Sequence, residues 1–287
     1  MKQALVTGAS RGIGASVALS LAEAGFRVWV HYRSREDAAR HVAATIVERG
    51  GPEPILVAFD LADRKAARDA VIALIDQHGA PDALVLNAGI TLNALFVLTS
   101  DRQWDEVMAT NLGGLVAVGR PVVKAMVRAR TGRIVFVSSV ASQMGNSGQV
   151  AYAASKGALD SAALSLAREL APLGITVNVI SPGLIETEMV QGAPLDRLLP
   201  AIPAGRLGRP SEVAHVIRYF CSEESGGLTG QIVNVNGGMY ASLHERAPRA
   251  VSERFLRPSA SAPLSLHRPG RRAQRGPRGG CADLSGR

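Results

Sequence analysis

The segment ALVTGASRGIG, residues 4–14, decides the fold of this 287-residue chain. Its first three residues are an apolar run typical of a buried parallel strand, and residues 17–22 carry the apolar spacing of a helix. Glycines between a strand and a helix let the backbone turn tightly, and the free N–H groups at a helix N-terminus attract phosphate. The glycine spacing is three-then-one instead of GxGxxG, so an ordinary strand-to-helix turn is the alternative. The segment predicts a site for the pyrophosphate of a dinucleotide.

Strand and helix patterns alternate along the rest of residues 1–240. Helices are predicted near residues 36–49 and 64–77, and the predicted strands are residues 4–6, 26–30, 55–59, 83–86, 134–137, 175–180 and 232–235. This alternation predicts a single Rossmann-type α/β domain: a doubly wound, seven-stranded parallel sheet with helices on both faces. Ligands of such sheets bind beyond the carboxyl ends of the strands. We therefore expect one edge of the sheet to carry the residues that follow the strands, namely Gly8, Asp60, Asn87, Ser139 and Pro182.

A tyrosine and a lysine lie four residues apart in YAASK, residues 152–156. On a helix, Tyr152 and Lys156 share one face, one turn apart. A free tyrosine has a pKa of about 10 and rarely exchanges a proton at neutral pH. Because a nearby ammonium favours the phenolate, we expect Lys156 to lower the pKa of Tyr152 and make it a general acid or base. The same spacing also arises by chance on solvated helix faces, so its meaning depends on the other motifs.

Together, these motifs make residues 2–240 resemble the short-chain dehydrogenase/reductase family, most of all its 3-oxoacyl-[acyl-carrier-protein] reductases. The motifs that carry the resemblance are TGASRGIG (7–14), NAG (87–89), TNLGG (110–114), VSSVAS (137–142), YAASK (152–156) and SPGLIET (181–187). The resemblance implies NADPH-dependent reduction of a 3-oxoacyl thioester, carried by acyl carrier protein or CoA, in fatty-acid or polyketide and polyene synthesis. The alternative is an NADP(H)-dependent reductase or dehydrogenase of acetoacetyl-CoA or another small ketone or secondary alcohol.

The resemblance also implies four catalytic residues. Tyr152 would give a proton to the substrate carbonyl oxygen, and Ser139 would hydrogen-bond the same oxygen. Lys156 would bind the nicotinamide ribose and lower the tyrosine pKa. Asn111 would hold a water that links Lys156 to solvent, although an asparagine can also cap or bridge structural elements, as can Asn87.

The resemblance also implies residues that contact each part of the dinucleotide cofactor. They are Gly8, Ser10, Arg11, Gly12, Ile13 and Gly14 in the glycine turn, Arg33 and Ser34 after the second strand, Asp60 and Leu61 for the adenine, Asn87, Ala88 and Gly89 beside the ribose, Tyr152 and Lys156, and Pro182, Gly183, Ile185 and Thr187 towards the carboxamide. No acidic residue ends the second strand, where an NAD enzyme grips the ribose 2′-hydroxyl. Arg11 and Arg33 would bind a 2′-phosphate instead, so we expect NADPH, although surface arginines are common.

Recognition of the substrate is predicted from fewer residues. Glycine, proline and apolar residues interrupt the strand–helix pattern in residues 184–209, as in a mobile lid or a plain surface loop. In the resembling enzymes two arginines near the mouth of the site receive the acidic carrier. Arg130 matches the first, but Leu173 occupies the second position, which leaves docking in doubt or transfers it to other residues such as Arg168. Pro121 should kink or break its helix.

Residues 241–287 differ in composition from the domain of residues 1–240. They hold ten arginines and three acidic residues, and so carry +7 of the chain's formal charge of +8. We expect a disordered extension, because such a segment buries too little apolar surface to offset its chain entropy; it also resembles out-of-frame translation of GC-rich DNA. The rival from another class is a non-catalytic nucleotide-binding protein whose basic tail binds nucleic acid. No nucleic-acid partner is expected, because the tail lacks interleaved aromatic residues and the four catalytic residues are all present.

Composition limits the remaining possibilities. No apolar run has the form of a signal peptide or a membrane span, so we expect a cytoplasmic protein without membrane contact. Cys221 and Cys281 lie in unlike regions, which argues against a structural disulfide. The six histidines lack ligand spacing, and no metal is expected. A homotetramer is expected from the resemblance alone.

Overall fold

A seven-stranded, fully parallel sheet organises the described part of the chain, with strand order β3-β2-β1-β4-β5-β6-β7. The structure is a computed structural model, and it describes residues 1–190 and 195–241. The strands are β1 (Gln3–Val6), β2 (Arg27–Tyr32), β3 (Ile55–Ala58), β4 (Ala83–Leu86), β5 (Gly132–Val137), β6 (Ile175–Pro182) and β7 (Ile232–Val235). The prediction of a doubly wound α/β fold is confirmed. The predicted extension of residues 241–287 lies outside the described residues, apart from Ala241.

Helices cover both faces of this sheet. They are α1 (Gly12–Glu23), α2 (Glu36–Glu48), α3 (Arg64–His78), α4 (Asp101–Asn111), α5 (Arg120–Ala129), α6 (Ala141–Met144), α7 (Val150–Leu170), α8 (Leu195–Leu198) and α9 (Pro210–Phe220). Apolar residues of α1, α2 and α9 pack in one core cluster, and those of α3, α5 and α7 pack in the other. Alternate strand residues serve the two clusters: Val6 belongs to the first and Leu5 to the second. Along the described ranges, no helix combines the length and the apolarity needed to cross a membrane.

The predicted disturbance at Pro121 takes the form of a widened helical turn. A π-helical segment, Leu115–Gly119, runs directly into α5, and Pro121 lies buried in the first turn of that helix. Proline has no N–H to donate, and its ring clashes with the carbonyl four residues earlier, here that of Ala117. The chain therefore changes its winding before Pro121, and the helical path continues to Ala129.

Parallel pairing places the carboxyl ends of all the described strands at one edge of the sheet. The connections after β1, β3, β4, β5 and β6 leave from this edge, and they begin with the residues that the sequence singled out. The amino ends of the strands form the opposite edge. This arrangement decides which of the predicted site residues can meet.

Candidate active site

The glycine turn between β1 and α1 disfavours a side chain at each of its three glycines. Gly8 and Gly12 have positive φ angles of 65° and 55°, a region that side-chain-bearing residues rarely adopt. A Cβ on Gly14 would lie 2.1 Å from the Gly8 carbonyl oxygen. Helix α1 begins at Gly12, has no side-chain cap and has no acidic residue in its first turn. Its first N–H groups have no partner within the helix, so the turn fits the pyrophosphate of a dinucleotide.

Asn87 holds the end of β4 against this turn. Its side-chain N–H group donates to the carbonyls of Thr7 and Gly8, at 3.0 and 3.2 Å. The backbone N–H groups of Asn87 and Ala88 both donate to the Thr7 hydroxyl. Gly89 follows, and a Cβ there would lie 3.2 Å from Asn111 Oδ1 and 3.3 Å from Lys156 Nζ. The NAG motif therefore joins the glycine turn to the predicted catalytic residues, and Thr7 takes part although the sequence did not single it out.

His31 ties the glycine turn to the end of β3, which the sequence also did not reveal. The Gly8 N–H donates to His31 Nδ1 at 3.0 Å, so the neutral ring carries its hydrogen on Nε2 and donates it to the Phe59 carbonyl, also at 3.0 Å. The ring stacks on Phe59 with 4.0 Å between centroids. Burial lowers the pKa of His31 to about 4, although the Phe59 carbonyl and the Asp60 carboxylate act in the other direction. A polar residue within an apolar strand was the only signal in the sequence.

The four predicted catalytic residues lie together at the carboxyl edge. Tyr152 and Lys156 share a face of α7, and Lys156 Nζ lies 5.8 Å from the centroid of the Tyr152 ring. Ser139 follows β5 and is near enough for a hydrogen-bonding interaction with the Tyr152 phenol. Asn111, the last residue of α4, is buried beside them. The structure thus assembles a phenol, a hydroxyl, an amine and an amide from three separate segments of the chain.

The pKa of Tyr152 shifts in the direction opposite to the one expected from the sequence. Burial raises the pKa of Tyr152, and the interaction with Ser139 lowers it by less. Burial also lowers the pKa of Lys156 to about 8, against the opposing effect of Asp160. Lys156 Nζ donates to the Val137 carbonyl at 2.8 Å. Desolvation therefore has the largest influence on the pKa of Tyr152, and the phenol is protonated at neutral pH.

Asn111 is committed to structural contacts through its side chain. Its Oδ1 accepts from the Ile90 N–H at 2.8 Å, and its Nδ2 donates to the Ile90 carbonyl at 3.0 Å and to the Ser155 hydroxyl at 2.9 Å. The Ser155 hydroxyl in turn donates to the Tyr152 carbonyl at 2.7 Å. Asn111 therefore joins the segment after β4 to the helix that carries Tyr152, as a bridging residue would.

The residues predicted to follow β6 close the same edge. The Gly183 N–H donates to the Val235 carbonyl at 3.0 Å, and the Pro182 carbonyl accepts from Val140 at 2.9 Å. Ile185 is buried, and its backbone pairs with Gly208. The Thr187 methyl lies 3.3 Å from the position of a Cβ on Gly12, so this segment touches the glycine turn. Within the predicted lid, residues 191–194 lie outside the described residues, and the lid remains a prediction.

The cations near the turn include Arg35, which no pattern in the sequence indicated. Arg11 forms an ion pair with Glu188, and Arg35 Nη1 lies 3.7 Å from the same carboxylate oxygen. Arg33 and Ser34 are exposed beyond the end of β2. Ser10 lies in the glycine turn. On the neighbouring connection, Asp60 Oδ1 accepts from the Ala62 N–H at 2.9 Å, and Leu61 is buried. Basic side chains from two segments thus converge on one oxygen.

Arg130 lies away from all of these residues. It is exposed, has a left-handed backbone with φ 54°, and caps the C-terminus of α5 just before β5 begins. Leu173 likewise precedes β6, so both positions lie at the amino ends of the strands. The six residues of β5 separate that edge from Ser139 by about 20 Å. The structure does not bring Arg130 near Tyr152 within one chain.

The described residues hold no group of three or more His, Cys, Asp or Glu side chains able to bind a metal ion. At the carboxyl edge, the hydroxyl groups of Ser139 and Tyr152 are both able to donate to one oxygen atom of a ligand. Lys156, an amine whose pKa is lowered, lies beside them. Next to it lies a glycine cradle for a dinucleotide. Such a set can transfer a proton to a carbonyl oxygen while a bound dinucleotide exchanges hydride with the carbonyl carbon.

Comparison with known proteins finds similar enzymes. A family profile described as enoyl-(acyl carrier protein) reductase matches residues 8–240. The 3-oxoacyl-[acyl-carrier-protein] reductase FabG of Aggregatibacter actinomycetemcomitans is 45% identical over 237 residues, which cover 82% of this chain and 98% of that enzyme. The FabG enzymes of Staphylococcus epidermidis and Escherichia coli K12 are each 38% identical over 242 residues, 83% of this chain and 99% and 97% of theirs.

Proposed function

The chain belongs to the short-chain dehydrogenase/reductase family, and from this we propose that it is an NADPH-dependent 3-oxoacyl-[acyl-carrier-protein] reductase of fatty-acid synthesis. The observation that carries the proposal is the convergence of Ser139, Tyr152 and Lys156 beside a glycine turn. The match to FabG enzymes over most of the chain supports the substrate class. The product would be the 3-hydroxyacyl thioester.

The proposed reaction gives each residue a step. When bound, NADPH supplies the hydride that reduces the carbonyl carbon. Tyr152 gives its proton to the carbonyl oxygen, and the raised pKa keeps that proton available at neutral pH. Ser139 donates a hydrogen bond to the same oxygen and stabilises its developing charge. Lys156, with a pKa of about 8, can pass a proton back to the phenolate near neutral pH.

Replacing Tyr152 tests the chemistry. Tyr152→Phe removes the proton donor and keeps the ring, so we expect kcat with a 3-oxoacyl carrier substrate to fall by about 10²- to 10⁴-fold. The affinity for NADPH, measured by fluorescence titration, should change by less than about threefold, because the turn that binds the dinucleotide is untouched. Normal NADPH consumption by this variant would refute the mechanism.

A substrate panel tests the specificity. Carrier-bound, CoA-bound and free forms of the same 3-oxo group should be compared by kcat/KM. The proposal requires the carrier-bound form to have the highest kcat/KM. A preference for acetoacetyl-CoA or a free ketone would instead support the alternative reductase.

The preference for NADPH is supported by charge around the turn. No acidic residue ends β2, and Arg11 and Arg35 already share the Glu188 carboxylate, an anion that a 2′-phosphate would replace. Arg33 is exposed nearby without an acidic neighbour at the end of its strand. These residues surround the region where the adenosine ribose would lie.

Reversing the charge of Arg33 tests this preference. Arg33→Asp should lower kcat/KM for NADPH by about 10-fold or more and change it little for NADH, since a charge-assisted hydrogen bond contributes about 1.5–3 kcal/mol. Arg40→Asp is the matched control, because Arg40 is exposed on α2 and pairs with Glu36 on that helix. An unchanged ratio of the two cofactors in Arg33→Asp would reject the assignment.

The remaining proposals concern partners. We propose a cytoplasmic homotetramer that meets an acidic carrier protein and binds no nucleic acid. A run of apolar residues before α4 supports self-association: Phe96, Val97 and Leu98 are 61%, 85% and 73% exposed. Docking of the carrier at Arg130 would require a site supplied by another subunit, because the arginine lies at the far edge of its own sheet.

A further inference from the structure

Asp160 is a buried acidic residue to which the proposed reaction gives no role. It lies on α7 one turn after Lys156 and is 8% exposed. Its Oδ1 is buried without a hydrogen-bond partner, and its Oδ2 lies 2.6 Å from the Ser142 hydroxyl. Burial raises the pKa of Asp160, against opposing effects of Ser138, Ser142 and Lys156. Whether the Asp160 carboxyl group carries a proton therefore depends on the hydrogen bonds around it.

The two contacts of the Ser142 hydroxyl indicate where that proton lies. The Ser142 Oγ lies 2.7 Å from the Ser139 carbonyl oxygen and 2.6 Å from Asp160 Oδ2, and both are hydrogen-bond lengths. A serine hydroxyl carries one hydrogen, and a carbonyl oxygen can only accept. If Ser142 donates to Ser139, the contact with Asp160 needs a hydrogen from the carboxyl group. Both contacts are satisfied together when Asp160 is protonated.

The other neighbours of Asp160 agree with a neutral carboxyl group. Burying an ionised carboxylate with one unpaired oxygen costs much folding free energy. In a neutral carboxyl group the unpaired atom is an uncharged carbonyl oxygen, and its burial costs less. Lys156 is the charged group that faces it, one turn back on the same helix, and Lys156 donates to Val137 instead. The Ser138 hydroxyl, from the end of β5, lies 3.4 Å from the Ser142 hydroxyl and completes the polar group.

We propose that Asp160 is a positioning residue that stays protonated at neutral pH and, through Ser142, holds the Ser139 main chain so that Ser139 Oγ faces the substrate carbonyl oxygen. This role rests on the proposed reductase function. The chain of donors runs from the Asp160 carboxyl to Ser142 Oγ, and from Ser142 to the Ser139 carbonyl. Loss of the Asp160 proton at high pH turns the Ser142 hydrogen towards the carboxylate and leaves the Ser139 carbonyl with one hydrogen bond in place of two, that from the Ser142 N–H at 3.0 Å.

Infrared spectroscopy tests the proton directly. The holoenzyme at pH 7 should show a protonated-carboxyl band that disappears in Asp160→Asn, and the band should vanish from the wild type as the pH rises. This measurement needs no substrate, so it stands even if the chain reduces a ketone other than a 3-oxoacyl thioester. Absence of the band at pH 7 would overturn the proposal.

Kinetics test the positioning. Asp160→Asn supplies an N–H to Ser142 without a charge, so it should keep kcat within about threefold of the wild type and lose the high-pH decline attached to Asp160. Asp160→Leu and Ser142→Ala should each lower kcat by about 10-fold, the effect of one hydrogen bond, and the double variant should lose no more than either alone.

Two kinetic results contradict the role of Asp160. If Asp160→Asn loses as much activity as Asp160→Leu, activity depends on the negative charge of Asp160, and the proposal of a protonated Asp160 that donates to Ser142 is wrong. If Ser142→Ala keeps full activity, the link to Ser139 is wrong. Should Asp160→Leu fail to fold, the Asn and Ala variants still decide the outcome. Failure of the wild type to reduce any carrier-bound 3-oxo group would count against the proposed function and leave the infrared result intact.

Discussion

At the scale of single residues, burial decides the chemistry of the ionisable groups near the cofactor site. His31 is a clear case, because both ring nitrogens have partners that a neutral ring satisfies and a charged ring does not. Its Nδ1 accepts from Gly8, and a proton there would face the Gly8 N–H. The ring thereby adds a side-chain link from the glycine turn to Phe59, beside the backbone hydrogen bonds that Ala9 N–H donates to the His31 carbonyl and Phe59 N–H to the Tyr32 carbonyl. A neutral His31 therefore joins the glycine turn to Phe59.

Acid should weaken the protein through His31. Its pKa of about 4 in the folded chain lies below the unfolded value of 6.5, so its contribution is complete above pH 6.5 and is lost as the pH falls towards 4. The loss amounts to about 3 kcal/mol of unfolding free energy. His31→Gln keeps both hydrogen bonds without titrating, and should lose less stability between pH 7 and pH 5 in urea unfolding. An equal loss in both proteins would contradict this role.

At the scale of elements, the glycine turn and the helix after it act as one unit. The two positive φ angles set the path of the backbone, and Gly14 lets α1 pass close to the turn. Close approach of the backbone is what the binding of a pyrophosphate requires. For the approach of a pyrophosphate, the absence of a side chain at Gly14 therefore matters more than the length of α1.

Gly14→Ala should damage both stability and cofactor binding. The new Cβ would lie 2.1 Å from the Gly8 carbonyl oxygen, a backbone atom that cannot rotate away. We expect a loss of about 1–3 kcal/mol or more in urea unfolding, and at least a 10-fold weaker NADPH affinity. Gly157→Ala is the control: it is also a helical glycine, with nothing within 4 Å of its Cβ, and should gain about 0.5–1 kcal/mol. Equal behaviour of the two variants would contradict the steric argument.

At the scale of the whole molecule, we propose that residues 1–240 are the reductase domain and that residues 241–287 are dispensable. β7 is the last strand of the described residues, and Asn236 Nδ2 then donates to the Tyr240 carbonyl at 2.9 Å. The candidate site residues all lie before that point. Residues 241–287 carry nearly all of the net charge, so the basic character of the chain describes this segment and not the domain.

Removing residues 241–287 should leave kcat and KM for NADPH within about twofold of the full chain. The cut preserves Tyr240, and hence the contact with Asn236. Any affinity of the full chain for polyanions should weaken with added salt and disappear in the shortened chain. Loss of folding or turnover in the shortened protein would show that the segment belongs to the domain.

Local patterns in the sequence determined the fold and predicted most of the residues that meet at the carboxyl edge of the sheet, but not Thr7, His31 or Arg35. Short apolar runs followed by glycine, asparagine or serine located all seven strands to within two residues at most ends, because burial on both faces imposes that pattern on each strand separately. The four-residue spacing of Tyr152 and Lys156 likewise placed them on one helix face. What only the tertiary structure decided are contacts between distant segments, such as His31 with Gly8 and Asp160 with Ser142, and the direction of the Tyr152 pKa shift. Those depend on how completely packing removes water from each group, and the order of residues along a chain does not specify that.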